Sequence, residues 1–343
     1  MPTYNNAINT ASLGTGFVYS DGSGLLGIST PGGLNFTVTK FTANGTFTKN
    51  VATKFIDVIC WNGGGGGGSG RQGASGAASG GSGAAGGGVL VFSGMASYFN
   101  ASESVTIGTG GAGGAAQASA NTDGNNGTPG GVSSLGNIFL SLSGSGASGF
   151  NNGSKGTSTG NVSGGAQGNY IYPYYPLIGI GSLNQGGTGK IVAGTTPEPA
   201  TDYSSTATTF AVYYIPQSGG GAAGANSVTA YQGGSGGDSI SFLTQTGFAV
   251  PDILNAGGAG GIESGTIDGG NGNDAITSGG GRYVPASGGG AGGGQSTGLV
   301  AGNGGNGGIP AAGAGGGGGS LNGANSGSGG DGGRGEVWVI EYY

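Results

Sequence analysis

The sequence predicts an all-β fold in which a small β-sandwich base, formed by N-terminal and C-terminal strands, carries a bundle of polyglycine-II helices, with essentially no α-helix. Glycine supplies 94 of the 343 residues, and each glycine inside an α-helix costs ~1 kcal/mol relative to alanine. No segment shows the 3.6-residue apolar period of an amphipathic helix. Apolar, β-branched runs are concentrated near the two ends of the chain, where they favour strands.

Residues 1–35 are predicted to be a separate segment for attachment or oligomerisation. Short apolar patches such as Leu25-Leu-Gly-Ile alternate there with Asp-Gly and Pro-Gly turns, which is typical of small β-pieces. Pieces of this length bury no core of their own. We therefore expect this segment to join the chain to further copies of itself or to another protein.

Residues 36–110 together with residues 334–343 are predicted to form the β base. Its strands include Phe36-Thr-Val-Thr-Lys-Phe and Lys54-Phe-Ile-Asp-Val-Ile-Cys-Trp, which are rich in β-branched and aromatic residues. The closing run from Arg334 to Tyr343 is the clearest strand, and the run that begins at Lys54 is its expected partner. Further strands are expected at Gly88-Val-Leu-Val-Phe, Glu103-Ser-Val-Thr-Ile and Asn137-Ile-Phe-Leu-Ser-Leu.

Residues 111–333 are predicted to be a glycine-rich polyglycine-II region with variable loops, interrupted by a tyrosine-rich insertion at residues 139–217. An extended three-fold helix makes no internal hydrogen bonds, so every N–H and C=O points outward. Neighbouring helices can bond to one another through these groups where no side chain separates their backbones, which explains the glycine. Collagen is excluded because the chain has only 11 prolines and no strict Gly-X-Y period.

Composition excludes several classes of function. With eight basic residues and a formal net charge of −6, the chain has too little positive charge to bind the phosphate backbone of a nucleic acid. The N-terminus lacks the basic and apolar regions of a signal peptide, and no apolar stretch reaches the length of a membrane span. With no histidine and with Cys60 inside an apolar run, neither an enzyme nor a cofactor is expected.

Three stretches resemble a known group of proteins, the glycine-rich proteins and receptor-binding adhesins of tailed-bacteriophage fibres. They are Phe41–Trp61 leading into Gly63–Gly68, the run Val105-Thr-Ile-Gly-Thr-Gly-Gly-Ala-Gly-Gly, and the closing run from Gly332 to Tyr342; Asn6-Ala-Ile-Asn and the run from Gly14 to Gly24 are also similar. The resemblance implies a polyglycine-II sandwich attached to a fibre shaft protein by its N-terminal part, here residues 1–35. It also implies that loops between the glycine runs bind a host-surface protein or glycan.

The aromatic side chains of the insertion are candidates for receptor contact, because tyrosine offers a large amphipathic surface at low entropic cost. Packing against the bundle or against a neighbouring subunit is the alternative for the same residues. They are Tyr170, Tyr172, Tyr174, Tyr175, Tyr213 and Tyr214.

Two short stretches match the calcium-binding β-roll repeat, and they contain Asp238 and Asp274. A β-roll shares its ligands between tandem turns, and these copies are isolated. They are therefore weak calcium candidates, and no metal site is expected.

These observations predict a virion adhesin, located in a tail fibre or outside the cell. The first alternative is a self-assembling filament subunit, extracellular or in a virion, whose N-terminal segment adds as a strand to the next subunit. A glycine-rich surface protein of mycobacterial type is the second, suggested by Gly302-Asn-Gly-Gly-Asn-Gly-Gly, although the helical N-terminal domain of that type is missing.

Overall fold

The fold is all-β, as predicted. A computed structural model of the chain describes residues 17–20, 26–29, 36–139, 154–155, 177–180, 219, 225–226, 230–240, 254–262, 268–278, 282–284, 286–296 and 298–343. Within these residues there is no α-helix, and a single 3-10 turn occurs at Ala96–Tyr98. The strands are β1 (Phe17–Ser20), β2 (Leu26–Ser29), β3 (Phe36–Phe41), β4 (Gly45–Thr48), β5 (Phe55–Trp61), β6 (Ala77–Ala78), β7 (Val89–Met95), β8 (Ser102–Thr106), β9 (Ser134–Leu135), β10 (Ile138–Phe139), β11 (Leu177–Ile180), β12 (Ala225–Asn226), β13 (Ser239–Ile240), β14 (Leu254–Asn255), β15 (Ile276–Ser278), β16 (Arg282–Val284) and β17 (Glu336–Tyr342).

The base is a sandwich of two antiparallel sheets. The larger sheet has the order β11-β7-β5-β17-β3 and the smaller has the order β10-β9-β8-β4. As expected, the closing strand pairs with the run at 54–61, with Trp338 opposite Ile59. Alternation along β5 and β17 sends every second side chain between the sheets, where Val58 and Val339 are buried with Phe47 of the smaller sheet.

The other face of the larger sheet meets the glycine-rich region. Trp61 and Trp338 pack edge to face there, with ring centroids 5.2 Å apart. Ala311, which lies in the glycine-rich region, completes this second cluster with Ile59 and Val89. The bundle therefore packs on the end of the sheet at which β5 ends and β17 begins.

The glycine-rich segments are extended and bond to one another with a period of three residues, as expected for polyglycine II. In the first of them, the N–H groups of Gly63, Gly66 and Ser69 donate to one neighbouring segment. Those of Gly64 and Gly67 donate to a second neighbour. We name these segments in chain order g1 (62–72), g2 (79–88), g3 (107–117), g4 (122–132), g5 (230–238), g6 (256–262), g7 (268–275), g8 (286–296), g9 (300–309), g10 (311–320) and g11 (324–335).

Four of the segments are buried along nearly their whole length, namely g1, g2, g8 and g10. The N–H groups of g10 donate to g1, g9 and g11, and its carbonyl groups accept from g2 and g8. A Cβ at any glycine from Gly315 to Gly319 would overlap a backbone carbonyl of a neighbouring segment, which is why these positions are glycine. Backbone hydrogen bonding between neighbours thus takes the place of an apolar core.

Outer segments are buried on one side only, and their sequences follow the same period. In g3, Gly108, Gly111 and Gly114 are buried, whereas Thr109 and Ala112 are exposed. Residues larger than glycine are accommodated where the three-fold helix faces solvent.

The boundary between base and bundle is less simple than the ranges assigned from sequence. Segments g1 and g2 lie within 36–110, whereas β9, β10 and β11 lie within 111–333 and belong to the two sheets of the base. Strand β11, inside the 139–217 insertion, pairs with β7. Of residues 1–35, the structure describes β1 and β2, which form a two-stranded antiparallel hairpin.

Candidate interaction surfaces

The molecule has two different ends. Strand β5 runs directly into g1, and g11 runs directly into β17, so the base lies at one end of the bundle, which we call the proximal end. At the opposite, distal end, short connections at 73–78, 118–121 and 321–323 join consecutive segments. The two ends are therefore suited to different contacts.

An apolar surface is exposed on the outer side of the larger sheet, at the proximal end. Phe36, Tyr342, Phe55 and Met95 lie opposite one another on the four strands β3, β17, β5 and β7. The Tyr342 ring lies 6.2 Å from that of Phe36 and 6.3 Å from that of Phe55. Phe36 is 59% exposed and Met95 is 57% exposed.

Val38, also exposed, and the half-buried Ile340 continue this surface toward the bundle. Asp57 lies opposite Ile340 on the same face and accepts the Tyr342 hydroxyl at 2.8 Å. We name the surface formed by Phe36, Val38, Phe55, Met95, Ile340 and Tyr342 the attachment face. Exposed apolar patches of this kind usually mark an interaction site.

A buried carboxylate lies where the larger sheet meets the bundle, on Glu336, which is opposite Trp61. Glu336 is 2% exposed, and its side chain lies 3.0 Å from Lys40 Nζ and 3.1 Å from Arg334. The indole N–H of Trp338 also donates to it, at 3.1 Å. These partners satisfy a charge that would otherwise be costly to bury. The network therefore fixes the point at which g11 continues into β17.

Polar side chains join the outer segments along one side of the bundle. Oδ1 atoms of Asp268, Asn271 and Asp274 in g7 accept backbone N–H groups of g9, at 2.7 to 2.9 Å. In turn, Oδ1 atoms of Asn303 and Asn306 in g9 accept N–H groups of g11, at 2.9 and 2.8 Å. These side chains satisfy outward-facing N–H groups that face no neighbouring carbonyl group, and we call them stitches.

The two weak calcium candidates take part in such bonds. Asp238 accepts the N–H of Gly257 at 2.7 Å, and Asp274 accepts the N–H of Ile309 at 2.7 Å. Within the described part of the chain, no three Cys, Asp or Glu residues are grouped so that they could hold a metal ion. The geometry assigns both carboxylates to the scaffold.

The distal end contains a buried polar side chain. Gln72, at the end of g1, is fully buried, and neither of its side-chain polar atoms bonds to a described residue. Its backbone exchanges hydrogen bonds with Thr122 at 3.0 Å. Beside it, Arg71 pairs with Asp123, whose carboxylate also lies 3.6 Å from Lys155 Nζ. Buried amides of this kind commonly bind an internal water.

The six tyrosines singled out by the sequence lie outside the described residues. Cys60 is buried between the sheets, and loss of solvation raises the pKa of its thiol to about 12, so it is not poised as a nucleophile. The attachment face was not predicted from the sequence, because which side of a strand stays uncovered depends on where the bundle stands. The stitches of g9 left a trace in the sequence, because Asn303 and Asn306 are spaced by the three-residue period of the helix.

No protein-family model matches the chain, and no curated protein matches it. No helix in the described ranges has the length and hydropathy needed to cross a membrane.

Proposed function

We propose that this chain is a virion tail-fibre adhesin, which attaches by its proximal end and binds a host-surface receptor through loops carried on the polyglycine-II scaffold. The observation that carries the proposal is that the two ends of the molecule differ. An apolar attachment face lies at one end, and a hydrogen-bonded bundle extends from it. A receptor-binding fibre protein requires this arrangement, because it must be held at one point and make contact at another.

The bundle is suited to presenting loops rigidly. Its segments are tied to several neighbours at intervals of three residues, so a local opening would break bonds to more than one segment. A rigid scaffold lowers the entropic cost of binding, because less freedom is lost in the complex.

The 139–217 insertion is the proposed receptor-binding part, with Tyr170, Tyr172, Tyr174 and Tyr175 as its main contacts. The insertion is anchored at described points. Ser154 accepts an N–H from Ser82 at 3.0 Å and donates its own to the Ser82 hydroxyl at 2.7 Å. Tyrosine is enriched in binding surfaces because it is large, amphipathic and has few rotamers.

The test is binding of the fluorescently labelled chain to a panel of bacterial strains, measured by flow cytometry. We expect one or a few strains to bind, and replacement of Tyr170, Tyr172, Tyr174 and Tyr175 by serine to reduce the signal at least about tenfold. The matched control is Tyr98→Ser, at a tyrosine of the base that is 63% exposed, which should leave binding unchanged. Absence of binding to every strain would contradict the proposal.

A filament subunit is the second candidate, favoured by the position of β3. This strand forms the edge of the larger sheet, and an edge strand offers unpaired backbone groups to a strand from another copy. Electron microscopy at rising concentration separates the two candidates. Discrete particles are expected for the adhesin, and long periodic fibres for the filament subunit.

A further inference from the structure

Asparagine followed by glycine occurs at eight positions of the chain, and such a pair is chemically labile. The glycine nitrogen can attack the asparagine Cγ because glycine has no side chain to hinder it. An N–Cγ bond then forms, the Cγ–Nδ2 bond breaks, and ammonia leaves with the proton of the glycine N–H. Water opens the resulting cyclic imide to aspartate or to isoaspartate. Isoaspartate adds a carbon atom to the backbone and so disrupts the three-residue period of a segment.

Three of the eight pairs belong to the stitches on the outer side of the bundle. They are Asn271-Gly272, Asn303-Gly304 and Asn306-Gly307. All three asparagines are exposed, so burial does not separate them from water. Any protection of these pairs must therefore come from their hydrogen bonds.

Each of the three pairs is bonded at two points to a single residue of the next segment. Ser328 donates its N–H to Asn303 Oδ1 at 2.9 Å, and its carbonyl group accepts the N–H of Gly304 at 2.8 Å. The same arrangement joins Asp331 to Asn306 and Gly307, and joins Asn306 to Asn271 and Gly272, at 2.8 to 2.9 Å. We call this two-point contact a clamp.

The clamp restrains both of the groups that would react. One bond fixes the Asn303 side chain through Oδ1, and the other engages the proton that Gly304 must lose. To close the ring, the side chain and the peptide group have to rotate toward each other and away from Ser328. Both bonds must open first, so the reaction depends on a local opening of the bundle.

We propose that the clamps protect these three pairs from deamidation, and that the distal pair Asn322-Gly323 is modified before them. Asn322 and Gly323 are both exposed, in the connection between g10 and g11. The side-chain amide nitrogen of Asn322 donates to the carbonyl group of Ser296. Among the described residues, however, none accepts the N–H of Gly323, so the attacking nitrogen is not restrained by a clamp. This inference goes beyond the proposed function and does not depend on it.

The test is tandem mass spectrometry of the full-length chain after incubation at mildly alkaline pH, both folded and in denaturant. Deamidation changes the mass, and fragmentation of the peptides assigns the change to a residue. In denaturant we expect Asn303, Asn306 and Asn322 to react. In the folded protein Asn303 and Asn306 should react at least about tenfold more slowly than in denaturant, because opening a clamp breaks two hydrogen bonds. Asn322 should be the first of the three to react.

A substitution at Ser328 removes one clamp and leaves its neighbour in place. Ser328→Pro lacks the N–H that Asn303 Oδ1 accepts, and proline adopts the backbone angles of an extended three-fold helix. We expect Asn303 to deamidate at least about fivefold faster in this variant, whereas Asn306, which is clamped by Asp331, stays protected. The matched control is Ser328→Ala, which loses the hydroxyl group but keeps the backbone N–H and should keep Asn303 protected.

Three results would overturn the inference. They are deamidation of Asn303 or Asn306 that is as fast in the folded protein as in denaturant, reaction of either residue before Asn322, and equal rates at Asn303 in folded Ser328→Pro and Ser328→Ala. Circular dichroism checks that both variants fold. If Ser328→Pro does not fold, the comparison of the folded and denatured native sequence decides alone. No host cell takes part, so the outcome is separate from that of the receptor function.

Discussion

The Oδ1 atom of Asn306 accepts the backbone N–H of Asp331 at 2.8 Å, across the boundary between segments g9 and g11. Asn306→Ala removes this acceptor, and we expect the free energy of unfolding to fall by about 0.5–1.5 kcal/mol. Asn306→Asp keeps an oxygen in the same place and should cost less. Denaturant unfolding measures both variants, and equal losses would show that the stitch does not stabilise the bundle.

Gly315 tests whether the glycine positions of g10 that face another backbone tolerate a side chain. A Cβ added there would overlap the carbonyl oxygen of Gly290 in g8, and the segment has no room to move because it bonds to g9 and g11 as well. We expect Gly315→Ala to lower the free energy of unfolding by about 3 kcal/mol or more.

The control for this substitution is Gly45→Ala in β4. A Cβ at Gly45 would lie 3.6 Å from Phe41 Cδ1, which is ordinary contact, so the change in stability should stay within about 0.5 kcal/mol. Trp61 and Trp338 stand where the bundle meets the base, and their fluorescence reports unfolding at that point. Comparable losses in the two variants would contradict close packing of g10.

The sequence predicted the kind of structure in each region because the causes are local. Glycine runs leave few ordered choices other than a three-fold extended helix, and β-branched runs leave few other than strands. The pairing of β17 with the run at 54–61 was predicted as well, because a terminal strand needs a partner and few candidates exist.

Neighbours within the bundle were not predicted, for a physical reason. Every glycine segment presents nearly the same backbone groups, so sequence alone does not show that g11 bonds to g3 and g9 rather than to g4. The stitches carry part of the missing information. Asn303 and Asn306 mark the outward positions of g9, but the N–H groups that they accept lie in g11, 25 residues farther along the chain.

Calcium should have no effect on stability. Asp238 and Asp274 each accept a backbone N–H through Oδ1, and calcium requires six to eight oxygen ligands around one point. We expect the same melting temperature in millimolar calcium and in excess chelator. Asp274→Asn keeps the Oδ1 acceptor and serves as the matched variant. A rise in melting temperature with calcium that this substitution abolishes would assign a metal site to Asp274.

Cys60 makes stability depend on pH in the alkaline range. Burial between the sheets raises the pKa of its thiol to about 12, whereas the thiol of an unfolded chain ionises near pH 8.5. The unfolded chain therefore loses its proton first as the pH rises. The stabilising contribution is fully present below about pH 8.5 and is lost as the pH rises toward 12.

Two measurements check this dependence. Iodoacetamide at about pH 8.5 should leave the native thiol unmodified and should react after denaturation, because the thiolate is the reactive form. Denaturant unfolding at increasing pH should show a steeper loss of stability for the native sequence than for Cys60→Ala, which lacks the titrating group. Rapid modification of the folded protein, or identical pH profiles for the two proteins, would mean that the thiol is open to solvent.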